Sequence, residues 1–172
     1  EGEVAVLRPL FATAWLIADF LQQASDFGAR TLLLSSASSK TALATAYCLR
    51  QRPGGAYLVG ATSPSRLAFT AGLRLYDEVI AYDAVPTLPA SEPAHRASRA
   101  ASQLPASEPT LYIDFSGDAA LRSAVHGHWR DHLAYSCAVG ATHHEAIGAG
   151  RGLPGPKPQF FFAPTQMQQR GA

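Results

Sequence analysis

The sequence predicts an α/β fold: a doubly wound parallel sheet with helices on both faces. Three observations carry that expectation. Short apolar runs suited to buried strands alternate with helical patterns, in the order βαβαβ through the first half of the chain. The stretch TLLLSSASSKTALATAYCL, residues 31–49, passes from a strand through a small-residue turn straight into an Ala-rich helix. With 172 residues, 47% of them apolar, the chain can bury one core, and it is too short for two large ones.

The elements follow in order. Residues 10–24 carry apolar side chains mostly three and four apart, with Pro9 near the start and Gly28 just past the end, the pattern of an amphipathic helix. Residues 31–34 make the first strand, residues 35–39 the turn, and the second helix runs to about Leu49 before Pro53, Gly54 and Gly55 turn the chain. AYLVG, residues 56–60, reads as a second buried strand, followed by a Thr/Ser/Pro loop that caps a short helix through Leu73. A third strand falls at residues 78–81. TLYID, residues 110–114, is the fourth; Asp118 caps a helix to about Trp129; HLAYSCA, residues 132–138, is the fifth; QFFFA, residues 159–163, is a sixth.

Between the third and fourth strands the pattern dissolves into Pro, Ala, Ser and Glu. LPASEP at residues 88–93 recurs unchanged at residues 104–109, so residues 86–109 read as an insertion with an internal duplication. It offers little to bury and too many prolines for regular structure, and a spacer is its expected role.

Charge excludes some partners. Lys plus Arg number 14 and Asp plus Glu 13, a formal charge of +1, which leaves no footprint for a nucleic acid or an anionic membrane. No apolar run reaches the roughly 20 residues that span a bilayer. Cys48 and Cys137 lie far apart at no metal-binding spacing, as reduced, buried thiols of a cytoplasmic protein would. The chain opens at Glu1 without an initiator Met, as a segment of a longer protein would.

A helix that starts directly after a buried strand aims its unpaired N–H groups and the positive end of its dipole at whatever lies over the turn, and the natural guest is a phosphate. In a dinucleotide fold this turn carries G-x-G-x-x-G. Laid over this chain, the three glycines fall on Ser36, Ser38 and Thr41, or one residue later on Ala37, Ser39 and Ala42, so each is missing in either register. Four hydroxyls and Lys40 supply donors that glycines lack; a merely capped helix is the competing reading. At the end of the second strand, where an NAD site usually presents Asp or Glu, this chain has Thr62, Ser63, Pro64, Ser65 and Arg66. Hydroxyls followed by a guanidinium suit a 2'-phosphate, although a Ser cap and a solvated Arg would read the same way.

Other chemistries fare worse. Ser39-Lys40-Thr41 matches the end of a P-loop, but its glycines would have to be Leu34 and Ser39. His126, His128, His132, His143 and His144, with Glu145, share no helix face and complete no tetrahedron; they read as scattered surface histidines, and no metal is expected. No Ser/His/Asp or Cys/His constellation stands out, so the catalytic residues are unknown. The loop of Asp114, Ser116 and Asp118 and residues 136–142 close the fourth and fifth strands, where a doubly wound sheet lines its cofactor crevice.

The segments RPLFATAWLIADFL, LLLSSASSKTA, VGATSPSR, LYDEVIAYD, LYIDFSGDAALRSAVH and YSCAVGATHHE together resemble the nucleotide-binding half of medium-chain dehydrogenase/reductases of the quinone oxidoreductase-like branch. More closely the chain resembles an uncharacterised family within that group, domain of unknown function 2855, in which an SSASSKTA turn stands where the glycine-rich loop should be. The resemblance implies a Rossmann-like fold of about six strands in the order 3-2-1-4-5-6 and NADP(H) as cofactor. It places phosphate contacts on Ser38, Ser39, Lys40 and Thr41, with Ser36 beside them. Adenosine-phosphate contacts fall on Thr62, Ser63 and Arg66, and nicotinamide-side contacts on Ser116, Cys137, Ala138 and Val139. It also implies an N-terminal GroES-like substrate domain that this chain does not contain, and a homodimer through the edge strand at residues 159–163. The function expected is hydride transfer to a carbonyl or activated alkene once the substrate domain is present; the alternative is a degenerate Rossmann domain serving as a non-catalytic binding or dimerisation module.

Overall fold

A computed structural model describes residues 2–87, 109–140 and 152–161, with the side chains of residues 2–7 and 87 left aside. Its centre is a six-stranded, all-parallel sheet in the order β3-β2-β1-β4-β5-β6. The strands are β1 (Thr31–Leu34), β2 (Tyr57–Thr62), β3 (Glu78–Ala81), β4 (Thr110–Asp114), β5 (Leu133–Val139) and β6 (Gln159–Phe161). The helices are α1 (Gly2–Gln23), α2 (Lys40–Arg50), α3 (Leu67–Gly72) and α4 (Ala119–Trp129). This is the Rossmann-like arrangement that the sequence predicts.

Side-chain alternation splits the core into two layers. Leu32, Leu34, Leu58, Leu111, Ile113, Cys137 and Phe161 face α1 and α2, where Ala14, Ile17, Leu21, Ala46 and Leu49 meet them. Leu33, Val59, Ala61, Ile80 and Tyr112 point the other way, onto Leu121, Val125 and Trp129 of α4. Successive strand residues point to opposite faces, so a strand apolar at every position must be covered twice, and β1 is buried at all four.

β1, β3 and β4 fall where the sequence places them. β2 runs two residues further than expected, because Ala61 and Thr62 stay in register with Ile80 and Ala81 of β3. β5 begins and ends one residue later than expected, at Leu133 and Val139, and β6 is described as far as Phe161; residues 162–163 lie outside the described residues. α1 starts well before Pro9, which therefore sits inside the helix and supplies no N–H to the turn before it. Most of the duplicated insertion, residues 88–108, also lies outside the described residues. Among the described residues no helix is long and apolar enough to cross a membrane.

Candidate functional site

The order of the strands reverses between β1 and β4, and the loops leaving the carboxyl ends of these two strands flank the switch point, where open α/β sheets take their ligands. The loop after β1 has no glycine, yet it bends as one would. Ser36 adopts a left-handed backbone with φ at 47°, at the first glycine position of one register. Its neighbours hold it there. The Ser36 N–H donates to the Tyr82 hydroxyl at 3.2 Å, the Ala37 N–H to the Ala61 carbonyl at 3.0 Å, and the Tyr76 hydroxyl to the Ala37 carbonyl at 3.0 Å.

The glycine that lets this turn lie close to the sheet stands on β2. A Cβ at Gly60 would come within 2.8 Å of the Ala37 Cβ and 3.0 Å of the Tyr76 ring. Ala37 is itself fully buried, so the turn presses a methyl group where a glycine-rich loop would press none. Sequence reasoning missed Gly60, Tyr76 and Tyr82. The lone Gly inside an otherwise apolar strand was the available sign of a close backbone approach.

The predicted phosphate residues gather at this turn. Ser39 is the N-cap of α2, its hydroxyl accepting from the Ala42 N–H at 3.3 Å. The N–H groups of Lys40 and Thr41 belong to the first helical turn, which has no intrahelical partners to offer. Lys40 is exposed, and no described side chain pairs with it. The Thr62 hydroxyl donates to Ser38 Oγ at 3.3 Å, which joins the end of β2 to the turn after β1. Ser63 and Ser65 exchange a hydrogen bond at 3.2 Å, and Arg66 beside them is exposed and has no described ion-pair partner. The two groups of residues read separately in the sequence are thus tied together by one hydrogen bond, made by Thr62, which is itself buried.

The far side of the switch point is a saturated polar knot. Asp114, 2% exposed, ends β4; one carboxylate oxygen accepts from Ser35 Oγ (3.0 Å), from the N–H and hydroxyl of Ser116 (3.0 and 2.8 Å) and from the Gly117 N–H (3.0 Å). The other oxygen receives Arg122 Nε at 2.8 Å and Nη2 at 2.7 Å. Burial by itself would raise the Asp114 pKa, but the hydrogen bonds from Ser116 and Arg122, the Arg122 charge and the Gly117 N–H outweigh it and hold it below its usual value. With both oxygens filled, Asp114 is a structural anion and no free general base. Ser116, predicted for the nicotinamide side, spends its hydroxyl on Asp114.

The other three residues predicted for that side sit on β5. Cys137 and Ala138 are buried; the Cys137 thiol packs in the core with α1, and burial, reinforced by the Asp114 charge, pushes its pKa up to about 12. Val139, half-buried, ends the strand beside Gly140.

The histidines are not all surface groups, which corrects the sequence reading. His126 is fully buried beneath α4: Nδ1 lies 2.9 Å from the Pro154 carbonyl and Nε2 lies 3.0 Å from Ser136 Oγ. Nδ1–H donating to the carbonyl and Nε2 accepting from the hydroxyl satisfies both atoms. Arg122 and His126, one turn apart on α4, thus meet Asp114 and Ser136 on the sheet. The Ser136 partner was invisible because it arrives from another element; neither group reaches solvent, so the pair is structural. His143, His144 and Glu145 lie outside the described residues. Among the described residues no three His, Cys, Asp or Glu side chains cluster as a metal would need.

This seam makes stability depend on pH. Desolvation, with a smaller contribution from the Arg122 charge, lowers the His126 pKa from its usual 6.5. The unfolded chain therefore binds the proton first, and stability falls as pH drops below 6.5. Asp114, held below 3.8, adds a second loss at lower pH still, as its pair with Arg122 is protonated away. The urea midpoint is expected to be flat above about pH 7 and to drop as the pH falls below 6.5. A His126→Gln variant should lack that first step; an unchanged profile in the variant would assign the step elsewhere.

Residues 1–172 match the family described as protein of unknown function (DUF2855). The chain belongs to that family. No curated protein matches it. In this DUF2855 chain, then, the switch point is built from a turn without glycines on one side and an ion-paired carboxylate on the other.

Proposed function

We propose that this chain is the NADP(H)-binding domain of a reductase related to the medium-chain dehydrogenase/reductases, one that delivers hydride to a carbonyl or activated alkene when joined to a substrate domain. One observation carries the reading: the Ser38–Thr62 bond ties the turn after β1, which leads into exposed Lys40, to the end of β2, which leads into exposed Arg66. A dinucleotide carries a pyrophosphate and, in NADP(H), a 2'-phosphate, and two cations without an ion-pair partner among the described residues, with hydroxyls beside them, suit those charges. The residues present fit the group. Ser36, Ser38, Ser39, Lys40 and Thr41 would hold the pyrophosphate, and Thr62, Ser63 and Arg66 the adenosine phosphate. The cofactor supplies the hydride. The protein binds and orients it, and Asp114 and Arg122 fix the floor of the crevice without giving up a proton.

Titration with NADPH followed by fluorescence tests this. Saturable binding is expected, weakened roughly tenfold by Lys40→Ala, the size of one lost charge-assisted contact of about 1.4 kcal/mol. No saturable change at millimolar NADPH would remove the cofactor, and equal binding by the variant would remove Lys40 from the site.

A second reading draws on a different observation: the Ser36 and Ala37 N–H groups, which a glycine-rich loop would turn towards a phosphate, are already spent on Tyr82 and Ala61. On that reading the domain is a binding or assembly module that dimerises through the β6 edge. Sedimentation with and without NADPH separates the two, since the module would dimerise without responding to nucleotide.

A further inference from the structure

The opposite end of the sheet holds a second cleft. Its volume is about 560 Å³, within the range of small-molecule sites, and it opens where β1 and β2 begin, away from the switch point. Arg30, Arg50, Asp26, Asp77, Gly54 and Gly55 line it.

Among the described residues its charges do not cancel. Asp77 is neutralised by Arg50 at 2.9 Å and also accepts the Leu58 N–H at 2.7 Å; Asp26 is neutralised by Arg52 at 2.7 Å. That leaves Arg30, exposed in the cleft, with no ion pair to any described residue. Arg50 donates Nε to the Leu75 carbonyl and Nη2 to Asp77, and its other terminal nitrogen is uncommitted among the described residues. Arg50 also stands in the last turn of α2, where its charge offsets the negative end of the helix dipole. The space over Gly54 is open, with nothing within 4 Å of a Cβ placed there.

The turn that carries Asp26 into the cleft is strained. Ser25, Asp26 and Phe27 are three successive non-glycine residues at φ of 49°, 50° and 52°. Such conformations persist where surrounding structure imposes them, and they concentrate at ligand sites. Here the turn swings Asp26 onto Arg52 and leaves Arg30 as the surplus cation.

We infer that this cleft binds a small organic molecule through a carboxylate or phosphate group held by Arg30, with Arg50 beside it. The site is independent of the nucleotide reading. Nuclear magnetic resonance titrations of the full chain with benzoate and with inorganic phosphate, at ionic strength fixed by sodium chloride, test it. Expected are saturable shifts of the Arg30, Gly54 and Gly55 amides with Kd on the order of millimolar, weakened about tenfold in Arg30→Gln while the thermal midpoint stays put. The probe that saturates names the head group. Shifts confined to residues 36–41, or equal binding by Arg30→Gln, or no saturation with either probe, would overturn the proposal, and only the first bears on the nucleotide turn.

Discussion

Asp114→Asn is expected to cost on the order of 3–5 kcal/mol, the loss typical when one member of a buried ion pair is removed and the other is left uncompensated. Asn keeps an oxygen for Ser35, Ser116 and Gly117 but turns an amide NH2 towards Arg122, so the substitution removes the charge and both hydrogen bonds to the guanidinium together. Arg122, 4% exposed, would be left with a full charge and no counter-ion. Against a total stability of about 5–15 kcal/mol, such a loss moves the protein close to unfolding at ambient temperature. Urea denaturation followed by circular dichroism measures it. The double variant Asp114→Asn, Arg122→Met should recover more than half, since Met fills the volume of the arginine stem without its charge. A single-variant loss below about 1 kcal/mol would mean that solvent reaches Arg122 after all.

Gly60→Ala is the second large effect. Replacing a strand glycine usually gains about 0.5–1 kcal/mol from reduced freedom of the unfolded chain, but forcing an atom into a packed site costs about 1–3 kcal/mol. Crowding wins here because both obstacles are fixed: the Ala37 Cβ at 2.8 Å belongs to the braced turn, and the Tyr76 ring at 3.0 Å is tethered by its hydroxyl to the Ala37 carbonyl. Adding Ala37→Gly removes the nearer obstacle and should restore part of the loss, with a coupling of about 0.5–3 kcal/mol in a double-mutant cycle. Strict additivity of the two would show that the strand and turn do not press on each other.

Much of this architecture was legible in the chain. β1, β3 and β4 are apolar runs ended by polar or small residues, and the Asp118 cap, which accepts the Leu121 N–H at 2.7 Å, marks the start of α4 at the next residue. The end of β2 was not, because Ala61 and Thr62 resemble loop residues until β3 pairs with them. In the site, the hydroxyls and cations were legible by type and position. What braces them was not: Tyr76, Tyr82 and Gly60 act across the sheet, and a sequence pattern reports neighbours along the chain. His126 failed for the same reason, since an isolated histidine on a helix reads as solvated until Ser136 and Pro154 arrive from elsewhere.

The brace on the Ser36–Ala37 turn also has a meaning for how the protein assembles. The bonds that shape it reach 39 residues along the chain to Tyr76, 46 to Tyr82 and, through Ser35, 79 to Asp114. Contacts of such sequence separation carry a large loop-closure entropy and are earned only when the intervening strands have docked. A peptide cut to the first strand, turn and helix would contain every candidate pyrophosphate ligand and still lack the turn's shape. The bond that joins Ser38 to Thr62 belongs to the finished sheet, and it appears and disappears with it.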